Sequence, residues 1–149
     1  MPTDIDYMQL ALEEARAAAA AGEVPIGAIL VYEEKIIARS GNRTIRDNDP
    51  TAHAEIVVIR EASHVLNNYR LSGASLYVTL EPCAMCAGAM IQARVTKLIY
   101  GAADPRGGAA STCFEVLSHP LLNHRVEFVP GVLAEESASL LQAFFTARR

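Results

Sequence analysis

A layered α/β domain is predicted by helix-type and strand-type patterns that alternate along the chain, and by two early β-rich runs spaced as a hairpin. Strands that alternate with helices favour a parallel sheet covered on both faces, to which the hairpin adds an antiparallel edge. The 149 residues suit a single domain over 1–149, large enough to bury roughly 70% of its unfolded surface without disulfide staples.

Thr3 followed by Asp6 is a capping-box variant that opens a helix over residues 4–21, with Gly22 placed to end it in a left-handed conformation. Residues 26–32 and 36–40 are β-rich runs joined through Glu33, Glu34 and Lys35. Asp49, Pro50 and Thr51 punctuate the chain before a helix over 52–67, whose buried side is predicted from the helical spacing of Val58, Ile59, Ala62, Val65 and Leu66. A short apolar strand over 76–80 precedes a helix over 84–93, begun by Pro82 near the first turn, where a missing N–H costs nothing. A strand over 97–100, a glycine- and alanine-rich loop over 101–110 carrying Asp104, Pro105 and Arg106, a strand over 126–129 and a helix over 134–149 complete the series. Together these predict three layers, α/β/α, around a mixed sheet of about five strands.

Composition narrows the function classes. No apolar run approaches the roughly 20 residues of a membrane span, so a soluble protein without a membrane partner is expected. The N-terminus, Met1-Pro2-Thr3-Asp4-Ile5-Asp6, is acidic where an export signal is basic and then apolar, which predicts a cytoplasmic location. A net charge of −4 gives no global attraction for nucleic acid, so such binding needs a local basic face. Two of the three cysteines form a CxxC at metal spacing, which argues for reduced thiols. The third, Cys113, reads as a small buried apolar side chain.

The chemistry concentrates in His53-Ala54-Glu55 and Pro82-Cys83-Ala84-Met85-Cys86. One His and two Cys fill three corners of a zinc tetrahedron; structural zinc sites are closed by four protein ligands, whereas catalytic ones keep a position open. Cys83 and Cys86 at the start of a helix share one face, and the helix N-terminus favours their thiolates. His53 and Glu55 would point apart in mid-helix, so they serve one metal only at a helix start, where the positive end also keeps His53 neutral. Two thiolates already offset the charge of Zn²⁺, so bound water is less acidic than in an all-histidine site and a nearby base matters more. Glu55 is the candidate base. The competing reading, a closed structural site, needs a fourth ligand from Cys113, His64, His119 or His124, none of which has short metal spacing to the others.

The HxE and PCxxC pair is similar to the signature of zinc deaminases of nucleobases, an assignment by likeness. Beyond it the chain resembles the bacterial tRNA-specific adenosine deaminases over nearly its whole length. The likeness runs through Val24-Pro25-Ile26-Gly27-Ala28, Asn42-Arg43, residues 49–56, Asn68-Tyr69-Arg70-Leu71, residues 76–83 and 85–91, Asn123-His124-Arg125-Val126 and Phe144-Phe145. It implies a cytidine-deaminase-like fold and hydrolytic deamination of the wobble adenosine of a tRNA anticodon. It also implies one zinc per subunit on His53, Cys83 and Cys86, with Glu55 as proton shuttle. By the same likeness, Asn42 hydrogen-bonds the flipped adenosine, the backbone around Ala54 reads the base edge, and Asp104 and Arg106 contact anticodon nucleotides. Phe145 stacks, and Arg148 or Arg149 meets phosphate. A homodimer with a composite site is implied too; Ala84, Ala87, Gly88 and Ala89 would suit close helix packing, though the core of one domain would use small residues in the same way.

The chain departs from that pattern where Arg106 stands for a more usual Lys, where Ser111-Thr112-Cys113-Phe114 replaces a more usual Gly-Ser-Leu-Met, and in stopping at Arg149 without a longer basic tail. Fewer phosphate contacts and a shallower salt dependence are expected. The alternatives in kind are a deaminase of a free base or nucleoside (guanine, cytosine or cytidine) and a non-catalytic zinc-stabilised binding module.

Overall fold

The computed structural model describes residues 1–148. Thr3 opens α1 (Asp4–Ala20) with the reciprocal capping box expected: the Asp6 N–H donates to Thr3 Oγ1 at 3.2 Å and the Thr3 N–H to Asp6 Oδ2 at 2.8 Å. Gly22 follows the helix at φ +86°, the left-handed conformation that stops it.

The hairpin forms from β1 (Gly27–Tyr32) and β2 (Lys35–Gly41). Tyr32 pairs with Lys35, so the turn is the two residues Glu33 and Glu34 and Lys35 already belongs to the strand. Both turn residues have positive φ, 50° and 64°, the geometry of a hairpin turn that glycine or asparagine usually supplies. β3 (Ser75–Leu80) pairs antiparallel to β1, β4 (Lys97–Ala102) runs parallel to β3, and β5 (Glu127–Val129) runs parallel to β4. The mixed five-stranded sheet therefore has the order β2-β1-β3-β4-β5. Gly101 and Ala102, expected in a loop, instead continue β4, because Leu80 pairs with Ala102 and the Glu81 N–H donates to the Ala102 carbonyl at 2.8 Å. A Cβ on Gly101 would lie 2.5 Å from Ser137 Oγ, so glycine here lets α4 (Ala134–Ala147) approach the strand.

Alternation along the strands divides the core into two. Ala28, Leu30, Leu76, Val78, Leu98 and Tyr100 pack on one face, with Val58 and Ala62 of α2 (Ala54–Val65) and Met90 and Ile91 of α3 (Ala84–Ala93). On the other face Ile29, Val31, Tyr77 and Ile99 meet Tyr7, Met8 and Ala11 of α1, and α4 packs beside them on β4. This is the three-layer arrangement predicted, and each large apolar side chain so buried contributes about 1.5–3 kcal/mol. Val65 does not join the core: it is exposed in the last turn of α2, past the buried residues, while Ile59 and Leu66 are part-buried. Among the described residues no helix is long and apolar enough to cross a membrane.

The register places the start of β1 and the ends of β2, β3 and β4 at one edge of the sheet, since Gly27 faces Gly41 and Leu80 faces Ala102. That edge includes the carboxyl ends of the parallel strands, where ligands bind in α/β sheets.

Candidate metal centre

Two helices begin at that edge, and each starts on a residue the motifs singled out. His53 is the N-cap of α2 (φ −67°, ψ 153°) and Cys83 the N-cap of α3 (φ −75°, ψ 175°), both in extended conformation. Neither side chain caps its own helix, which leaves both free for a ligand. His53 Nδ1 lies 3.6 Å from Cys83 Sγ and 3.5 Å from Cys86 Sγ. Among the described residues this is the one group of His, Cys, Asp or Glu side chains that could hold a metal ion, its donor atoms all within 4.8 Å of one another. One imidazole and two sulfurs, with no fourth protein donor, fit zinc in an open site.

The residues a closed site would need are elsewhere. His124 Nε2 lies 2.8 Å from the Val95 carbonyl, and His119 Nδ1 accepts the Leu121 N–H at 3.2 Å. His64 lies in the last turn of α2. Cys113, expected to be buried, is exposed, and its thiol donates to the Pro105 carbonyl at 3.3 Å. Burial fails because the Cys113 N–H is bound to the Gly108 carbonyl at 2.8 Å, which folds this stretch back on its own loop and not into the core.

The Cys83 thiol is pushed down to about 3 by hydrogen bonds from Cys86 and from His53. The Cys83 hydrogen bond raises His53, and the same neighbour, with burial, pushes Cys86 far up. Glu55, two residues past His53 and only 4% exposed, is pushed up to about 7, chiefly by burial, against the opposing pull of its own backbone N–H and of His53. A carboxyl held there can exchange a proton near neutral pH. Placement at the helix start resolves the spacing problem, since His53 is not yet helical when Glu55 already is.

Asn42 is buried beside this group and takes over the capping role His53 gives up. Its Oδ1 accepts the Ala54 N–H at 2.8 Å, and its own N–H donates to the Ile26 carbonyl at 3.0 Å. Of the two groups expected to face a base, the Ala54 N–H and the Asn42 oxygen are therefore engaged with each other. The Asn42 amide NH₂ is left available.

A cleft of about 710 Å³ opens along the same edge, and it brings together Asp104, Arg106 and Phe145 from the sequence-predicted set, with Arg148. Phe145 is 49% exposed, and the Arg148 guanidinium lies 3.4 Å from the centroid of the Phe144 ring. Asp104 also serves its own turn, Oδ1 accepting the Arg106 N–H at 3.0 Å. Arg149 lies outside the described residues. The metal group does not line this cleft; Leu80, on its wall, leads through Glu81 and Pro82 into Cys83, and Ile26, also on its wall, holds Asn42.

Two buried carboxylates escaped the motif reading. Glu23 accepts from the N–H groups of Ile45 and Arg46 at 3.1 and 2.8 Å, from Arg46 Nε at 3.2 Å and from the Thr44 hydroxyl, and Arg46 in turn donates to the Asn42 carbonyl at 2.9 Å. Glu81 accepts from Asp104, Ala110, Ser111 and Thr112. The available signal was the residue type itself, an acid directly before Val24-Pro25 and another directly before Pro82-Cys83, at the ends of apolar runs.

The family model of MafB19-like deaminases matches residues 3–149. A tRNA-specific adenosine deaminase of Agrobacterium fabrum is 52% identical over 143 residues, covering 96% of this chain and 94% of its own. A structure solved in work on A-to-I editing by tRNA:A34 deaminases at the wobble position of transfer RNA superposes with a TM-score of 0.88 at 53% identity, covering 91% of this chain and 98% of its own. A guanine deaminase from Nitrosomonas europaea, 24% identical, reaches a TM-score of 0.85 with 98% of this chain and 86% of its own covered, and so shares the fold alone.

Proposed function

The chain belongs to the family of tRNA-specific adenosine deaminases, and on that premise we propose that it is a zinc-dependent hydrolase converting adenosine to inosine at the wobble position of a tRNA anticodon. The observation that carries the chemistry is a buried Glu55 beside a His53, Cys83 and Cys86 group with no fourth protein ligand among the described residues. His53, Cys83 and Cys86 would hold one zinc per chain. When bound, zinc would supply a Lewis acid that lowers the pKa of water. Glu55 takes the proton of the attacking water and passes it to the ring nitrogen beside C6. It then takes the proton of the new C6 hydroxyl and hands it to the amino group, which departs as ammonia as the C6–N bond breaks and the C6 carbonyl forms, so that adenosine and water become inosine and ammonia. A base flipped into a pocket of this kind is read by its edge. Asn42 meets it with its NH₂, since its oxygen already holds the Ala54 N–H.

The substrate contacts follow the cleft. Arg106 and Arg148 supply positive charge that a chain of net charge −4 lacks overall, Phe145 offers a ring for a base to stack on, and Asp104 lines the same wall. Arg149 is assigned a phosphate by the same reading. A cytoplasmic site of action and a homodimer belong to it as well. The dimer is supported by α3, where Ala84 and Met85 are exposed and a side chain on Gly88 would meet nothing within 4 Å, although Ala87 is core. Sedimentation at micromolar concentration should give twice the chain mass.

The deciding assay is inosine formation in an anticodon stem-loop beside free adenosine, adenine, cytosine and guanine. Turnover of the stem-loop above all is the result expected. Efficient turnover of a free base with the stem-loop untouched would transfer the chain to the free-base deaminases.

A further inference from the structure

We propose that Glu81 is a positioning residue for the substrate: its buried carboxylate fastens the 104–112 segment, whose first residues, Asp104, Pro105 and Arg106, line the cleft, to the metal-binding end of α3. The proposal rests on the deaminase reading above. Glu81 is 2% exposed, and every side-chain bond it makes goes to that one segment. Oε1 accepts the Asp104 N–H at 3.1 Å and the Thr112 hydroxyl; Oε2 accepts the N–H groups of Ala110, Ser111 and Thr112 at 3.1, 3.0 and 3.1 Å. The fit is close as well as polar, because a Cβ on Gly108 would lie 2.4 Å from the Glu81 carboxyl.

The two ends of this arrangement are the two halves of the proposed site. On one side Glu81 is followed by Pro82 and Cys83, and the Pro82 carbonyl accepts the Ala109 N–H at 2.8 Å. On the other, the Asp104 N–H is held by Glu81 while Asp104 Oδ1 holds the Arg106 N–H, so the backbone of Arg106 is one residue removed from the carboxylate. An acceptor-only group is required here, since all five partners are donors. Glutamine in its place turns an NH₂ toward either two or three of them and unseats the segment. One of the five donors, the Asp104 N–H, belongs to a residue that lines the cleft, and the other four, from Ala110 to Thr112, anchor the far end of the same loop.

The test uses the zinc-loaded full chain and an anticodon stem-loop. Glu81→Gln is expected to raise KM about tenfold or more, because a wall displaced by an ångström costs up to about 100-fold, with kcat changed less than about threefold and zinc content unchanged. The amides of Asp104, Ala110, Ser111 and Thr112 should exchange hydrogen faster than in the wild type. Thr112→Val removes a single donor from an exposed position and keeps every backbone donor, so it decides the matter if Glu81→Gln does not fold; its KM should rise about threefold to tenfold. An unchanged KM in the variant that folds overturns the proposal, as does loss of zinc with a parallel fall in kcat. If the wild type makes no inosine in the stem-loop, the substrate reading fails instead, and amide exchange equal in variant and wild type overturns the fastening role by itself.

Discussion

Glu55 and Glu81 are the same residue type, buried to within a few per cent of each other at the same edge of the sheet, and they are held in opposite protonation regimes. Burial pushes both up. At Glu81 this is outweighed by the N–H groups of Ser111, Asp104 and Thr112 and by the Thr112 hydroxyl, and the carboxyl lies below its ordinary value. Glu23 shows the same balance, burial being overcome by the N–H groups of Arg46 and Ile45 and by the Arg46 guanidinium. Glu55 has few such donors and rises to about 7. Surrounding donors, more than depth, separate a carboxylate that can carry a proton from one that fastens a loop.

The largest expected effect falls on the metal side of this contrast. Removing zinc with a chelator should abolish inosine formation, and adding zinc back should restore it; chelation should also lower stability by about 4 kcal/mol where zinc is held at a thousandfold excess over its Kd, as read by urea unfolding. On the fastening side, Glu23→Gln should cost about 2–3 kcal/mol, because the N–H groups of Ile45 and Arg46 lose a charged acceptor. No loss of stability there would break the comparison.

Acid sharpens the same point. The folded-state pKa of Glu23 lies below its ordinary 4.5, so its contribution is complete above the unfolded value and is lost as pH falls through the folded one. The stability gap between wild type and Glu23→Gln should therefore be full near neutrality and shrink below pH 4.5. Exposed carboxylates provide the control. Glu33 and Glu34 are exposed and held at positive φ, so Glu33→Asn with Glu34→Gly should stabilise the chain by about 1 kcal/mol through the turn alone.

The order of elements was legible because capping and periodicity are local: Thr3 with Asp6, Gly22 and the Pro82 start all stand as expected. The need for His53 and Glu55 to share a helix start also followed from spacing, and α2 begins one residue past His53. What escaped depends on partners distant in sequence. Val65 has the correct periodicity but lies past the buried part of α2, and β4 continues into Gly101 and Ala102 because Leu80 and Glu81 pair with it. Cys113 followed the burial typical of its type until Gly108 bound its backbone. The donors of Glu81 come from 23 to 31 residues away, and no local pattern announces them.

Glu55→Gln, assayed together for zinc and for inosine in an anticodon stem-loop, bears most directly on the contrast between the two carboxylates. Full zinc content with turnover reduced by about 100-fold to 10,000-fold is the predicted result. Turnover near wild type with zinc retained would contradict it, since a dispensable Glu55 could not be the group that carries the proton.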